Sequence, residues 1–386
     1  MSDMPKAMVH AAAVDEFRRE ANGQVVLVLQ GGGALGAYQV GVYQALHEAG
    51  VEPDWIIGTS IGAINSSIIA GNEPADRLTK LDEFWNRMRP NAWPFVPAWT
   101  GFSETWSQWS TLVGGIPAFF APNLAAFWGA QIPLGAGGAA FYSTAALRKT
   151  LAELVDCSII GKRTPRLTVG AANVQTGMMH YFDSRQSEIT VEQIMASGAL
   201  PPGFPAVYAD GEFYWDGGVL SNTPIEAVFD DNPRRNSLIF GVQLWNGKGP
   251  VPQSIWEVLN RQKEIQYSSR IASHVARLQQ THRLRHVINQ LVGLLPNDVR
   301  KREAVRELAG YGCVTQMHLV PLIAPRLENE NYMKDIDFTQ GGIGMRREAG
   351  YKAAMQVLER APWQGEFNPI EGVILHESMP DPAIAA

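Results

Sequence analysis

The sequence predicts an α/β protein with a mainly parallel sheet flanked by helices, and three observations carry that expectation. Residues 24–30 are a short, continuously apolar run of the kind buried on both faces of a sheet. A helical pattern over 34–49, a second apolar run at 54–58 and a second helical pattern at 61–70 follow directly. Strand-helix-strand-helix at this spacing is how parallel strands are joined. Strand-like runs then return further along the chain.

A polar leader occupies residues 1–22. The helix over 34–49 spaces Leu35, Tyr38, Val42 and Leu46 along one face and stops at Gly50. A third helix is expected at 74–89. Residues 90–141 differ in kind: they are rich in Pro, Gly and aromatic side chains and keep no period, which marks an insertion. Runs at 166–173, 178–182, 206–215 and 237–245 read as strands, with Gly177 at a turn, so the sheet is expected to extend to about residue 245. These residues define a catalytic-sized unit at 23–250. Helical patterns at 252–294 and 297–309, a strand-like 313–322 and a helix near 343–360 predict a mainly helical C-terminal extension over 251–386.

Of the 386 residues, 46% are hydrophobic and only 18% charged, which excludes a disordered chain. A net charge of -6 argues against nucleic acid as a partner. Cys157 and Cys313 lack C-x-x-C spacing, so neither a disulfide framework nor a thiolate metal site is indicated. The start carries Asp3, Asp15 and Glu16 without an apolar core, and no uninterrupted apolar stretch reaches the ~18 residues of a membrane span. The expectation is a soluble, cytoplasmic protein. Six of the 11 tryptophans, Trp85, Trp93, Trp99, Trp106, Trp109 and Trp128, fall around the insertion, with Phe95, Phe102, Phe119, Phe120 and Phe127 among them. A lid or lipid contact over residues 90–141 and plain packing, or an oligomer interface, both accommodate this density. Between Arg261 and Gly310 stand ten Lys or Arg against four acidic residues, a basic segment that suits either an anionic membrane surface or the protein's own acidic body.

Gly31-Gly32-Gly33-Ala34-Leu35-Gly36 fits G-x-G-x-x-G between a strand and a helix. A dinucleotide site would need an acidic residue about 20 positions on, where Ile56 and Ile57 stand instead. The strand runs straight into Gly58-Thr59-Ser60-Ile61-Gly62, a G-x-S-x-G at a strand-to-helix turn. A tight turn needs small residues at Gly58 and Gly62, and the N–H groups and dipole at the helix start favour anionic oxygen near Ser60. Ser60 is therefore a candidate nucleophile, or else a helix cap. If it is a nucleophile, Gly31 to Gly33 can offer bare N–H groups to the oxyanion of acyl transfer.

The eight histidines are poorly placed for a base: His10 is in the leader, His47 is expected on a helix surface, His180 follows a turn, and His274, His282, His286, His318 and His376 lie in the extension. Asp216, in Phe213-Tyr214-Trp215-Asp216-Gly217-Gly218, is a better candidate, because aromatic neighbours would desolvate it and raise its pKa. An ordinary Asp-Gly turn is the alternative.

The set resembles the patatin-like phospholipase family. Gly31 to Gly36 is similar to that family's glycine-rich oxyanion loop, Gly58 to Gly62 to its nucleophile elbow, and Asp216-Gly217-Gly218 to its Asp-Gly-Gly/Ala motif. Asn173-Val174-Gln175-Thr176-Gly177, the block from Ala196 to Pro205 and Asn222-Thr223-Pro224 agree, and order and spacing match over roughly residues 24 to 245. The resemblance implies a patatin-like sheet and a Ser60–Asp216 dyad without histidine. It implies hydrolysis of acyl-lipid esters of the phospholipase A, lysophospholipase or carboxylesterase type, with no metal or other cofactor. It also implies an oxyanion held by N–H groups of Gly32 and Gly33. Leu35 departs from the pattern, since many relatives carry Arg or Lys there. Such a hydrolase is compatible with peripheral contact with a membrane; an acyltransferase with the same dyad, or a catalytically idle lipid-binding or scaffold protein, are the rival readings.

Overall fold

The computed structural model describes residues 6–89, 113–129, 131–162, 165–268, 271–327, 330, 332–368 and 370–377, of which the side chains of 6–11, 127 and 271–274 are left out. The expectations attached to Trp93, Phe95, Trp99, Phe102, Trp106 and Trp109 lie outside these residues.

Most of the leader is a helix, α1 (Lys6–Ala21). It buries Val14 and Phe17 and ties down through Arg18, which donates to the Asp54 carboxylate at 3.1 Å. The strands are β1 (Gln24–Leu29), β2 (Trp55–Thr59), β3 (Ala121–Pro122), β4 (Tyr142–Ser143), β5 (Arg166–Asn173), β6 (Met179–Asp183), β7 (Val207–Ala209), β8 (Glu212–Asp216), β9 (Ser237–Gln243), β10 (Met317–Ile323) and β11 (Val373–Leu375). The principal helices after α1 are α2 (Ala37–Glu48), α3 (Ile61–Ala70), α4 (Arg77–Arg87), α5 (Ala145–Leu154), α6 (Val191–Ser197), α7 (Glu226–Phe229), α8 (Ile255–Tyr267), α9 (Ile271–Leu294), α10 (Asn297–Arg300), α11 (Glu303–Ala309) and α12 (Gln340–Arg360).

Nine strands form one sheet in the order β11-β10-β9-β1-β2-β5-β8-β7, with β6 pairing β5 beside that path. From β11 to β5 every pairing is parallel, and β6, β7 and β8 add antiparallel pairs at one side. The α/β expectation is thereby met. The alternation of β1 shows why its sequence is apolar throughout: Val25, Leu27 and Leu29 enter one core with α2, α3 and α12, while Val26 and Val28 enter a second with α7 and α9.

The C-terminal extension departs from its expected character. It is rich in helix, but β10 and β11 continue the same parallel sheet beyond β9, and α12 lies along α2. Periodicity announces a strand without naming its neighbour, and the sheet runs on to residue 375 rather than ending near 245. Arg261, Lys263 and Arg283 of the basic segment pair with Glu264, Asp335 and Glu371, within the protein's own body. In the described part of the aromatic insertion, Phe119 and Phe120 are buried against Tyr142 and Phe204, with ring centroids 4.9 to 5.7 Å apart. These rings are core. Trp128, by contrast, is 82% exposed.

Candidate active site

Parallel pairing of β1 with β2 sets Leu29 opposite Gly58, so the turns leaving the two strands are neighbours. In the second turn Ser60 stands between β2 and α3 with φ 58° and ψ −127°, a conformation that an L residue holds only when its surroundings impose it. The surroundings are backbone. A first side-chain carbon on Gly58 would lie 2.4 Å from the Gly62 carbonyl oxygen, and one on Gly62 would lie 2.2 Å from the Leu29 carbonyl oxygen. The expected crowding at both glycines is what the turn contains. Ser60 occupies the N-cap position of α3, yet its side chain makes no capping bond, which leaves the hydroxyl for other work.

The N–H of an N-cap residue has no partner within the helix that follows, and here a buried serine receives it. Ser60 N–H donates to Ser197 Oγ at 3.0 Å, and the Ser197 hydroxyl donates to the Gly170 carbonyl at 2.6 Å. Ser197 belongs to the block from Ala196 to Pro205, where no residue signalled this task. A serine at the end of an ordinary helical pattern looks like any other.

Asp216 ends β8, which pairs antiparallel with β5; β5 in turn lies beside β2. The carboxylate is almost wholly buried and accepts a 2.7 Å bond from Gly218 N–H. Its own N–H donates to the Ala199 carbonyl at 3.0 Å, so the Ala196–Pro205 stretch supports both halves of the site. Burial pushes the Asp216 pKa up to about 7, against the downward pull of hydrogen bonds from the Ser60 side chain and from Gly218 N–H. Ser60 and Asp216 are thus brought together. Gly217 lets the turn after β8 pack closely on β5: a side chain there would meet the Gly170 carbonyl oxygen at 2.5 Å.

The glycine loop divides its labour. Gly31 was grouped with the oxyanion donors, but its N–H is spent on the Asn222 carbonyl at 3.2 Å. What Gly31 supplies is room, since a side chain there would stand 2.9 Å from Ser60 Cβ and 2.4 Å from Asn222 Oδ1. Gly36 likewise supplies room, for Ile61 of α3, from within the turn Gly33–Gly36. From that set, Gly32 and Gly33 are left as the candidates for the donor role. The loop is held by side chains from far along the chain: Asn222 Nδ2 and the Trp245 indole N–H donate to the Gly31 carbonyl at 3.1 and 2.9 Å. Gln30 accepts from the N–H groups of Leu244 and Trp245 and donates to Thr223 Oγ1 at 2.8 Å. Asn222 and Thr223 give the Asn-Thr-Pro block its role. Asn173 and Gly177 form the turn from β5 to β6, with Asn173 Oδ1 accepting from Gln175 and Thr176 N–H at 3.0 and 2.9 Å.

The histidines with described side chains find partners elsewhere. His47 meets Glu52, His282 packs on Phe229, His286 meets the Thr315 carbonyl, His318 stacks on His376, and His180 sits against Phe182 and Tyr214. No group of three or more His, Cys, Asp or Glu side chains gathers into a metal-binding cluster among the described residues, and none of their helices is long and apolar enough to cross a membrane.

Comparison with known proteins gives this arrangement a family. Residues 27–229 match the family model described as patatin-like phospholipase, and residues 265–369 match a second described as patatin phospholipase. A lysophospholipase nte1 of Aspergillus terreus is 57% identical over 53 residues, 14% of this chain and 4% of that protein. An uncharacterized NTE family protein of Mycobacterium tuberculosis is 45% identical over 80 residues, 19% of this chain and 14% of that protein. Patatin-like phospholipase domain-containing protein 6 of Homo sapiens is 43% identical over 61 residues, 16% and 4% of the two chains. The matches therefore span only a small part of these relatives' lengths. Among solved structures, VipD from Legionella pneumophila aligns with a TM-score of 0.37 at 17% identity, covering 87% of this chain and 67% of that one. ExoU in complex with SpcU, from Pseudomonas aeruginosa, aligns with a TM-score of 0.33 at 17% identity, covering 89% and 52%. With the first family model alone matching more than half of its residues, this chain belongs to the patatin-like phospholipase family.

Proposed function

We propose that this protein is a serine acyl hydrolase acting on carboxylic esters of lipids, with Ser60 as nucleophile and Asp216 as general base. The observation that carries this reading is the pairing of a strained, uncapped serine at a strand-to-helix turn with a buried carboxylate whose pKa is lifted to about 7. An ordinary carboxylate is too weak a base to take a serine proton near neutrality, and burial brings Asp216 closer to that task.

The Ser60 hydroxyl gives its proton to Asp216 as Oγ forms a bond to the acyl carbon. The carbonyl oxygen becomes an oxyanion, met by the N–H groups of Gly32 and Gly33 and by the positive end of α3. Collapse of this intermediate breaks the ester C–O bond, and Asp216 returns the proton to the leaving alcohol. Water then repeats the sequence: Asp216 takes its proton, the hydroxide adds to the acyl-enzyme, and Ser60 leaves with the proton restored. Two residues suffice, because the carboxylate that accepts the proton also lies close enough to return it.

The lipid class of the substrate, a cytoplasmic location and peripheral contact with a lipid surface belong to the same reading, and the family match supports the first of these. The test is hydrolysis of p-nitrophenyl esters of graded chain length and of phospholipid vesicles, with Ser60→Ala and Asp216→Asn beside the parent. Both variants are expected to lose activity by about 100-fold or more. A fluorophosphonate should label the parent at Ser60 and leave Ser60→Ala unlabelled. Full activity in both variants would refute the dyad.

A further inference from the structure

Helix α8 is built inside out. Ile255, Val258, Leu259 and Ile265 look outward, 38 to 79% exposed, while the charged side chains Arg261, Lys263 and Glu264 turn toward the protein. Burying charge is costly unless excellent partners are present, and apolar replacements would often serve stability as well. The partners here all lead to one place. Glu264, 1% exposed, accepts from Lys334 at 2.8 Å, from Arg326 at 2.6 Å and from Arg261 at 3.1 Å. Lys263 reaches both carboxylate oxygens of Asp335 at 2.8 and 2.9 Å and the Tyr332 carbonyl at 3.1 Å. From the other side Arg346 of α12 holds the Asp337 carbonyl at 2.8 Å and the Glu330 carboxylate at 3.3 Å.

What these ions clamp is the short turn Lys334–Ile336, and that turn lies on the glycine loop. The Asp335 carbonyl oxygen sits 2.3 Å from where a side-chain carbon on Gly33 would be, so it forms a wall directly against the Gly33 backbone. At the other end of the loop the last residue of α8, Tyr267, presents its carbonyl to Gln30 Nε2 at 3.1 Å and to Asn222 Nδ2 at 3.0 Å. The loop of residues 30–33 is thus held between two carbonyls of the C-terminal extension, and α8 bears on both.

Three successive glycines are the most mobile backbone available, with Gly33 at φ 56°. Donors for an oxyanion lower a barrier only when they are fixed before the charge appears. The loop therefore needs rigidity from outside itself, and the ion cluster on α8 is placed to supply it. Resting on the hydrolase reading given above, we infer that Lys263 and Glu264 are positioning residues for the oxyanion loop, acting through Asp335 and Lys334 on Gly33. On this view the extension is part of the catalytic apparatus, and its ion cluster is kept for geometry rather than for stability.

The test uses the full chain and the Lys263–Asp335 pair, whose side chains are partly exposed, so that folding survives. Lys263→Met and Asp335→Asn should each lower kcat on a p-nitrophenyl ester by about tenfold, with KM changed less than about twofold and thermal midpoints within a few degrees of the parent. Phosphonylation of Ser60, which also needs the oxyanion donors, should slow to a similar degree. The exchanged pair Lys263→Asp with Asp335→Lys should recover much of the lost kcat. Glu264→Gln strands buried cations, so it is read together with Glu264→Gln/Lys334→Met, which restores balance inside the cluster. Single variants that keep parental kcat would overturn the inference, as would kcat losses that merely follow falling thermal midpoints or that the exchanged pair leaves unrepaired. A parent that neither hydrolyses esters nor reacts with the phosphonate would overturn the hydrolase reading itself, and the inference with it.

Discussion

The two glycine-rich turns of the site look alike as sequence and are made rigid in different ways. The elbow from Gly58 to Gly62 is closed by its own neighbourhood: Gly58 abuts Gly62, and Gly62 abuts the Leu29 and Gln30 carbonyls at the end of β1. The loop from Gly31 to Gly36 is closed from a distance, by Asn222, Leu244, Trp245 and Asp335. An intruding side chain in the elbow meets backbone, which cannot give way, whereas at Gly31 it meets the end of the Asn222 side chain, which can. A turn that crowds itself is specified by adjacent residues; a turn that is braced depends on the whole fold.

Replacement at the elbow should therefore do the most damage. Gly62→Ala forces a contact near 2.2 Å with the Leu29 carbonyl oxygen and is expected to abolish esterase activity while lowering stability by about 3 kcal/mol, read by urea unfolding. Ser60→Gly separates strain from chemistry. Activity should fall by about 1,000-fold or more, but glycine accepts φ 58° and ψ −127° freely, so stability should rise by about 1 kcal/mol, a gain that Ser60→Ala lacks.

Asp216→Asn should cost about 100-fold in kcat, and its stability should respond to pH with a definite sign. The folded-state pKa, about 7, exceeds the ordinary 3.8, so between those values the folded protein holds a proton that the unfolded chain has released. Stability from this group is greatest at low pH and is lost as pH rises through about 7. Urea melts at pH 5 and pH 8 should show the variant gaining on the parent at pH 8. Parental kcat should move the opposite way, rising with pH through about 7 as the base ionises. The mildest effect is expected on the braced loop: Gly31→Ala pushes aside Asn222 and crowds Ser60, lowering kcat by roughly tenfold while shifting the melting midpoint by only a few degrees. If Gly31→Ala proved as destructive as Gly62→Ala, the distinction between crowded and braced turns would fail.

The same distinction explains what the sequence disclosed. β1, α2, β2 and α3 are adjacent in the chain and joined by short turns, so their pattern and punctuation suffice to read them, and Ser60 with its two glycines is read along with them. Asp216 was legible through its aromatic strand and the glycines after it. Of the braces, the blocks that hold Ser197 and Asn222 were marked, but not what these residues do. Ser197, Asn222, Gln30 and the Asp335 carbonyl act at the site only because distant segments meet, and a polar residue in a loop carries no mark of its partner. Helix α8 illustrates the limit in another way: its period announces a helix correctly, but the usual rule that apolar faces turn inward assigns the wrong face to the protein. β11, three residues long, falls below the length at which alternation can be seen at all.

The pairing of β10 with β9 has a practical consequence for anyone dividing this chain. All seven residues of β9 are buried, and seven registered pairs join it to β10. A fragment ending near Pro250 would carry every motif of the site yet present Ser237–Gln243 as an uncovered apolar border, with unpaired N–H and C=O groups open to the same border on another molecule. Such a fragment should come out of solution as aggregates, and its silence in an esterase assay would report on that exposed edge rather than on Ser60.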